Sequence, residues 1–253
     1  MSDTNFDSRF LRLEENVYAR DKGRIRLTLI EEDLLELFPA FGARGLKILD
    51  AGGGAGHFSR LCATRGHSVT LCDISHKMLS LAARENEQAD LQGRVTLLHL
   101  GLHDPGLTKL APFDLVALHG VVEWMAEPEQ AILHACSLVR PGGVLSLLVF
   151  NRDKLLLKQG INGRLPGAAE CRVSTSSHLT PPNGFSPRNV RNLLAEREGT
   201  LLLQSGIRVF NGFFREIDPD LSTEEWLNQE RLYYRLEPFS GLGEHSHFLW
   251  QRR

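Results

Sequence analysis

The sequence contains no apolar run approaching the roughly 18–20 residues that a membrane-spanning helix needs. Its opening, MSDTNFDSRFLRLEEN, is polar and acidic and lacks the apolar core of a signal peptide. Cysteine is also scarce and forms no C-x-x-C pair, the four residues being Cys62, Cys72, Cys136 and Cys171. This spacing argues against a disulfide framework or a zinc site. We therefore expect a cytoplasmic protein with reduced, mostly buried thiols, no metal and no membrane partner.

Lysine is rare as well, with 6 lysines against 23 arginines in 253 residues. The net charge of −2 does not suggest wholesale nucleic-acid binding, but the charges are unevenly distributed. Residues 151–215 carry ten Lys/Arg and four Asp/Glu, a local excess of six positive charges. This excess is either solvated surface or a basic segment that faces an anionic substrate, for which the planar fork of arginine is well suited.

Short apolar runs alternate with amphipathic segments up to residue 151. Strands are predicted over 46–51, 68–73, 94–100, 113–120 and 144–151. Helices are predicted over 25–38, 56–66, 75–89 and 127–139, the last one stopped by Pro141-Gly142-Gly143. Because the strands are near-continuous apolar runs, we expect an α/β fold with a doubly wound, mostly parallel sheet covered on both faces. Right-handed crossovers would gather the carboxyl ends of the strands at one edge, where ligands bind.

The pattern changes after residue 151. The next stretch is rich in Gly, Pro, Ser and Thr and predicts an insertion or lid, followed by a short helix over 186–198. A strand over 200–210, a helix over 223–236 and a last strand over 245–252 come after it. We expect a core over 1–151, a substrate-recognition insertion over 152–198, and a C-terminal part over 199–253 that completes a single domain.

The stretch LDAGGGAG places a G-x-G-x-G turn directly after a strand. Glycine adopts backbone angles that other residues resist and lets a ligand touch the main chain. A dinucleotide fingerprint that begins at Gly52 would need its third glycine where His57 stands, and the Gly-Lys-Ser/Thr of a Walker A loop is absent. The turn therefore fits neither a nicotinamide dinucleotide nor a nucleoside triphosphate.

Polar residues follow the next strands at the same edge. Asp73 ends the second strand, 23 residues after Asp50, where a carboxylate can accept two ribose hydroxyls. His103 and Asp104 follow the third strand, and His119 ends the fourth. One ligand could therefore touch the ends of four consecutive strands.

Taken together, LDAGGGAG, LCDIS, HLGLHD, FDLVALHGVVEW and LVRPGGVLSLLVFN resemble the Rossmann-like class I S-adenosylmethionine-dependent methyltransferases over about residues 25–151. The resemblance implies that the turn Gly52–Gly54 wraps the amino-acid part of S-adenosyl-L-methionine and that Asp73 holds its ribose. Residues after the third strand would flank the adenine. Asp50 would orient the turn or the cofactor amine, with a purely structural hydrogen bond as the alternative.

A closer resemblance spans nearly the whole chain. The segments NFDSRF, NVYARDKGRIR, LKILDAGGGAGH, LHGVVEWMAEP, GIRVFNGFFRE and RLYYRLEPFSGLGEHSHF are similar to the tRNA 5-carboxymethoxyuridine methyltransferases. Those enzymes methylate the carboxylate of a modified wobble uridine, so the resemblance implies the tRNA anticodon loop as partner. It implies cofactor contacts at Arg26, Gly52, Gly53, Asp73, Leu102, His103 and His119. The chain departs from the family pattern at Leu102-His103 and at Glu244-His245.

This reaction would need no catalytic base. A carboxylate is already ionised at neutral pH and can attack a sulfonium methyl directly, so the enzyme has only to align the reactants. Arg208 and Arg215, interleaved with phenylalanines, are predicted to hold the substrate; the alternative is core phenylalanine and surface arginine. Trp124 is expected to form a pocket wall or a core anchor.

Two other functions are compatible with the sequence. One keeps the fold and cofactor but methylates a small-molecule acid or phenol. The other is a cofactor-binding scaffold without turnover. The basic segment over 151–215 favours the tRNA enzyme over the small-molecule enzyme.

Overall fold

The computed structural model describes residues 3–7, 21–163, 181, 184–210 and 222–253. One seven-stranded sheet runs through them, made of β1 (Lys47–Ala51), β2 (Ser68–Cys72), β3 (Val95–Leu98), β4 (Phe113–His119), β5 (Val139–Phe150), β6 (Gly199–Ile207) and β7 (His245–Arg252). The strand order is β3-β2-β1-β4-β5-β7-β6. Only β7 runs antiparallel to its neighbours. The predicted doubly wound, mostly parallel sheet is confirmed.

Helices cover both faces of this sheet. They are α1 (Asp21–Leu37), α2 (His57–Thr64), α3 (His76–Gln88), α4 (Pro105–Leu110), α5 (Pro128–Leu138), α6 (Arg152–Ile161), α7 (Pro187–Ala195) and α8 (Thr223–Tyr233). Short 3-10 helices lie at Pro39–Gly42, Val122–Trp124 and Phe239–Gly241. In the part of the chain described, no helix is both long and apolar enough to span a bilayer.

The core is divided into two apolar clusters by the sheet. Ile48 of β1 packs into the cluster beneath α1, and its neighbour Leu49 packs into the cluster beneath α5. Successive side chains of a strand point to opposite faces, so a strand covered on both sides must be apolar at every position. This explains the near-continuous apolar runs in the sequence.

The helix predicted over 127–139 ends within one residue of the predicted position, but the next strand begins earlier than predicted. Helix α5 ends at Leu138, and β5 begins directly at Val139, five residues before the predicted start. The Pro-Gly-Gly segment lies inside β5, where the register with β4 shifts between Phe113 and Leu115. Proline has no N–H to give to a ladder, and an irregularity of this kind accommodates it.

The predicted insertion over 152–198 begins with a helix that the sequence did not predict, because its first ten residues form α6. The Asn151 side chain caps this helix by accepting hydrogen bonds from Asp153 N at 3.0 Å and Lys154 N at 3.2 Å. Asparagine is a preferred N-cap residue, so this signal was present in the sequence. Residues 164–180, the centre of the predicted lid, lie outside the described residues.

Other element boundaries differ by a few residues. Helix α1 begins four residues before the predicted start, and α8 ends three residues before the predicted end. Ser75 caps α3 as expected, accepting from Met78 N at 3.2 Å. Cys62, Cys72 and Cys136 are free and buried. Cys171 lies outside the described residues.

Candidate functional site

The glycine turn after β1 has no room for side chains. The N–H groups of Gly52 and Gly53 donate to Cys72 O at 2.7 and 3.3 Å, which ties the turn to the end of β2. Gly52 has a φ of 68°, and a Cβ there would lie 2.7 Å from Val121 Cγ1. A Cβ on Gly53 would lie 2.6 Å from Asp50 Oδ2. The turn therefore presents bare main chain, as close contact with a ligand requires.

Asp50 braces this turn from below. It is only 2 % exposed, and its Oδ2 accepts a hydrogen bond from Ser59 Oγ at 2.7 Å. Burial raises the pKa of Asp50 to about 6, and the nearby negative charge of Asp73 also acts to raise it. The structural hydrogen bond that the sequence left as an alternative is therefore present.

Asp73 stands at the end of β2 with both carboxylate oxygens engaged by main chain. Oδ2 accepts from Gly54 N at 2.9 Å and Oδ1 accepts from Ser75 N at 2.7 Å. Burial raises the pKa of Asp73, and the two N–H groups partly oppose this. Each carboxylate oxygen can accept a further hydrogen bond, which matches the paired hydroxyls of a ribose. With Asp50 also nearby, the site favours a cationic ligand over a pyrophosphate.

The segment after β3 offers main chain more than side chain. Leu102 is 5 % exposed and packs into the cluster beneath α5. His103 is exposed, with its ring centroid 5.4 Å from that of His134. Leu102 could therefore contact an adenine through its backbone. The adenine contact at both positions stays a prediction.

Residues 3–7 cross the site, a feature that sequence periodicity could not reveal. Asn5 Nδ2 donates to Ile74 O at 3.0 Å, beside the end of β2. Thr4 N donates to Trp124 O at 3.0 Å, beyond the end of β4, and the rings of Phe6 and Trp124 meet edge to face at 4.9 Å. This segment connects the loops that follow β2 and β4. It also makes Trp124 part of the rim of the site.

Arg208 lies on a tightly held turn after β6. Glu230 accepts hydrogen bonds from Val209 N at 2.7 Å and Phe210 N at 3.0 Å. Lys154 Nζ donates to the carbonyls of Arg208 and Val209 at 3.0 and 3.2 Å. Arg208 has a φ of 62° and is 9 % exposed. A non-glycine residue kept in the left-handed region by its surroundings is characteristic of functional sites.

A cluster of charges joins this turn to the ends of β4 and β5. The positive charge of Arg26, on α1, acts on His119, Glu123, Arg208 and His245. Burial, and then neighbouring positive charges, hold the pKa values of His119 and His245 well below the usual value, so both rings are neutral. The charges of Arg26 and Arg208 thus lie close to the neutral rings of His119 and His245, with the carboxylates of Glu244 and Glu230 near Arg208.

Glu244, one of the departures from the family pattern, has a clear role in this cluster. Its Oε2 lies 3.3 Å from Nζ of Lys154, which is 1 % exposed. Burial lowers the pKa of Lys154 to about 8, although the charge of Glu244 acts to raise it. A buried ammonium needs such a partner. The second departure, His245, lies with its ring centroid 6.0 Å from that of Phe150.

The predicted aromatic partners of the substrate fall into two groups. Phe210 packs against Tyr233 and Phe239 at centroid distances of 5.3 and 5.6 Å, so it belongs to the core side of the turn. Arg215, Phe213 and Phe214 lie outside the described residues.

The buried carboxyl of Glu123 is expected to make the free energy of unfolding depend on pH. It is 1 % exposed, its Oε1 accepts from Phe150 N at 3.1 Å, and its Oε2 has no hydrogen-bond partner among the described residues. Burial raises its pKa from an ordinary 4.5 to about 7. A carboxyl with a raised folded pKa stabilises the protein below its unfolded pKa, and this stability is lost as the pH rises through the folded pKa.

We therefore expect Glu123→Gln to gain roughly 3 kcal/mol of stability relative to the native chain between about pH 5 and about pH 8. Glutamine keeps an oxygen for Phe150 N. Urea unfolding at both pH values measures the difference. The control is Glu127→Gln, which removes an exposed carboxyl instead of a buried one. A Glu123→Gln gain no larger than that of the control would contradict a buried, titrating carboxyl.

A family model described as a methyltransferase domain matches residues 49–145. Over 249 residues, the chain is 32% identical to a tRNA 5-carboxymethoxyuridine methyltransferase of Escherichia coli strain K12. The matched region covers 98% of this chain and 95% of that protein. A ubiquinone biosynthesis O-methyltransferase of Psychrobacter cryohalolentis is 33% identical over 138 residues, covering 51% of this chain and 53% of that protein.

A solved structure shows the same fold. The crystal structure of magnesium protoporphyrin IX methyltransferase from Synechocystis PCC 6803 with bound SAH superimposes with a TM-score of 0.66 at 18% identity. The match covers 98% of this chain and 96% of that chain.

Proposed function

Because the chain belongs to the family of the tRNA 5-carboxymethoxyuridine methyltransferases, we propose that it methylates the carboxylate of 5-carboxymethoxyuridine at the tRNA wobble position, in the cytoplasm, with S-adenosylmethionine as methyl donor. The observation that carries this proposal is the extent of the similarity. It covers 98% of the chain, including the half that holds Arg208, whereas the ubiquinone-biosynthesis relative covers only 51%.

The residues at the edge of the sheet fit this donor. Gly52 and Gly53 leave the main chain bare for its amino-acid part, and Asp73 has two free acceptor positions for its ribose. The carboxylates of Asp50 and Asp73 suit its positive charge. When bound, S-adenosylmethionine supplies an electrophilic methyl group on its sulfonium.

The other half of the pocket binds the acid to be methylated. Arg208 provides a positive charge for this acid, while Arg26 is kept for the carboxylate of the methyl donor, and His119 and His245 are neutral. Arginine holds a carboxylate in a defined orientation. One carboxylate oxygen must stay free of the guanidinium groups, since an engaged lone pair is a weaker nucleophile. The free oxygen bonds to the methyl carbon as the carbon–sulfur bond breaks, so no residue has to remove a proton.

We assign binding of the anticodon loop to the basic part of the chain over 151–215, with residues 152–198 as the substrate-recognition element. Aromatic faces and arginine planes recognise unpaired bases in RNA loops, and phosphate contacts release counterions. Affinity for tRNA should therefore fall steeply with salt, whereas affinity for a small acid or phenol would change little.

The test is a methylation assay with purified protein and S-adenosylmethionine labelled in the methyl group. One tRNA pool comes from cells that make 5-carboxymethoxyuridine and the other from cells that cannot. We expect label in the first pool only, and we expect mild alkali to release it, because a methyl ester is hydrolysed by base. Equal labelling of both pools would contradict the carboxylate acceptor. Cofactor binding with no label in either pool would favour the scaffold function or a small-molecule substrate.

A further inference from the structure

A chain of hydrogen bonds runs from the pocket into the protein behind it. Nε2 of His119 lies 2.7 Å from Ser146 Oγ, and the same oxygen lies 2.9 Å from Nε2 of His247. Nδ1 of His247 lies 2.7 Å from Asp33 Oδ2. Ser146, His247 and Asp33 are each 0 % exposed. Buried polar groups in an unbroken chain influence the hydrogen positions of one another.

The sheet register explains why these residues meet. His119 pairs with Leu148 of β5, Leu148 pairs with His247 of β7, and His247 pairs with Ser205 of β6. These positions form one row across the sheet, and Ser146 lies two residues before Leu148 on the same face. Leu148 belongs to the apolar cluster beneath α1, the helix that carries Asp33.

Asp33 sets the direction of the hydrogen bonds. Burial opposes its ionisation, but hydrogen bonds from His247 and Ser205 and the charge of Arg235 hold its pKa below the usual value. It is therefore an acceptor, and Nδ1 of His247 must carry the hydrogen. Arg235 also pairs with this carboxylate, at an N–O distance of 2.8 Å.

The remaining hydrogens then follow in order. We take His247 as the neutral imidazole, whose Nε2 has a lone pair and accepts the single hydrogen of the Ser146 hydroxyl. The Ser146 oxygen must in turn accept a hydrogen from Nε2 of His119. This leaves a lone pair on Nδ1 of His119, the nitrogen that remains for a ligand. A carboxylate that fixes the tautomer of a distant imidazole through its hydrogen bonds is a known way of positioning a site.

We propose that Asp33, His247 and Ser146 are positioning residues that fix His119 as the Nε2-protonated tautomer, so that its Nδ1 accepts a hydrogen bond from the ammonium group of the methyl donor. The ligand part of this proposal rests on the proposed function. The tautomer part does not, because it concerns hydrogen positions in the protein alone.

The first test reads the tautomer by side-chain nitrogen NMR of the histidines in the full-length protein without ligand. The native chain should show His119 protonated at Nε2. Asp33→Asn should reverse the direction of each hydrogen bond from Asp33 to His119. The amide oxygen of the asparagine would face Arg235, and its NH₂ group would donate to Nδ1 of His247. His119 should then carry its proton on Nδ1. A native His119 protonated at Nδ1 overturns the proposal without any variant.

The second test uses two buried serines as a matched pair. Ser146 links the two histidines, whereas Ser205 donates to Asp33 Oδ2 at 2.7 Å and lies outside the path to His119. Both are 0 % exposed. Ser146→Ala should give a mixture of His119 tautomers and raise the Kd for S-adenosylmethionine roughly fivefold to tenfold, the worth of one hydrogen bond. Ser205→Ala should lower thermal stability similarly but leave the tautomer and Kd unchanged.

The outcomes separate this proposal from the proposed function. If tRNA is not methylated but the tautomer and the Kd respond as described, the proposed function fails and the positioning role of Asp33, His247 and Ser146 stands. If Ser146→Ala and Ser205→Ala both lower only stability and keep the tautomer and Kd of the native protein, the row of hydrogen bonds is structural and the proposal fails. If the native protein does not bind S-adenosylmethionine, the ligand part fails together with the proposed function, and the NMR result decides the tautomer part.

Discussion

Replacing Asp73 by asparagine is expected to raise the Kd for S-adenosylmethionine about 100-fold. In the native chain, each carboxylate oxygen accepts one main-chain N–H, from Gly54 or Ser75, and can accept one ribose hydroxyl as well. An asparagine turns one of these oxygens into an NH₂ group, which meets an N–H donor on one side and a hydroxyl on the other. The change removes one or two charge-assisted hydrogen bonds to the ligand, together worth about 3 kcal/mol.

Isothermal titration calorimetry with S-adenosylmethionine measures this effect. The matched control is Asp114→Asn. Asp114 lies at the amino end of β4, away from the carboxyl ends of the strands, and its side chain also accepts a main-chain N–H, from Lys47 at 2.7 Å. It pairs with Arg140 at 2.5 Å, so the control should lower stability and leave the Kd unchanged. Equal losses of affinity in both variants would mean that Asp73 acts only through the fold.

The position of the glycine turn and of Asp73, the residues proposed to bind the cofactor, could be predicted from the sequence because the residues that define them are close together in the chain. A strand, a glycine turn and an acid at the end of the next strand lie within about 25 residues, and parallel strands bring them to one edge. The departures at Leu102 and His103 could not be interpreted in the same way. Leu102 is buried in the apolar cluster beneath α5, and no local pattern reveals that packing.

The pocket behind the ends of β4 and β5 could be predicted only in part, because its contacts are distant in sequence. No sequence pattern connects Asp33 with His247, which lies 214 residues further along the chain, yet their side chains are 2.7 Å apart. In the sequence, Glu244 is only a departure from the family pattern. The structure shows its partner, Lys154, with Nζ 3.3 Å from the carboxylate. Electrostatic partners across a sheet leave no periodicity in the sequence, so a motif search finds one member of each pair at most.

Arg208 combines the two kinds of information. The sequence predicts it as a substrate ligand, but its left-handed backbone and its burial are visible only in the structure. Lys154 of α6 and Glu230 of α8 hold the main chain at Arg208 and directly after it. An arginine in this conformation costs the fold about 1 kcal/mol relative to glycine. A fold that carries such a cost at a buried arginine is consistent with a role in binding substrate.

Arg208→Ala is therefore expected to lower kcat/KM for tRNA methylation about 1000-fold, because two charge-assisted hydrogen bonds to the substrate carboxylate are worth about 4 kcal/mol. Arg208→Gly should lose the same activity but be more stable than the alanine variant by about 1 kcal/mol, since glycine has no Cβ to strain. Arg191→Ala, an exposed arginine of α7 in the same basic segment, should change kcat/KM by less than about tenfold. Methylation rates at limiting tRNA, with urea unfolding of each variant, separate the two effects. Activity that follows stability across the three variants, with glycine more active than alanine, would assign Arg208 to folding and not to substrate binding.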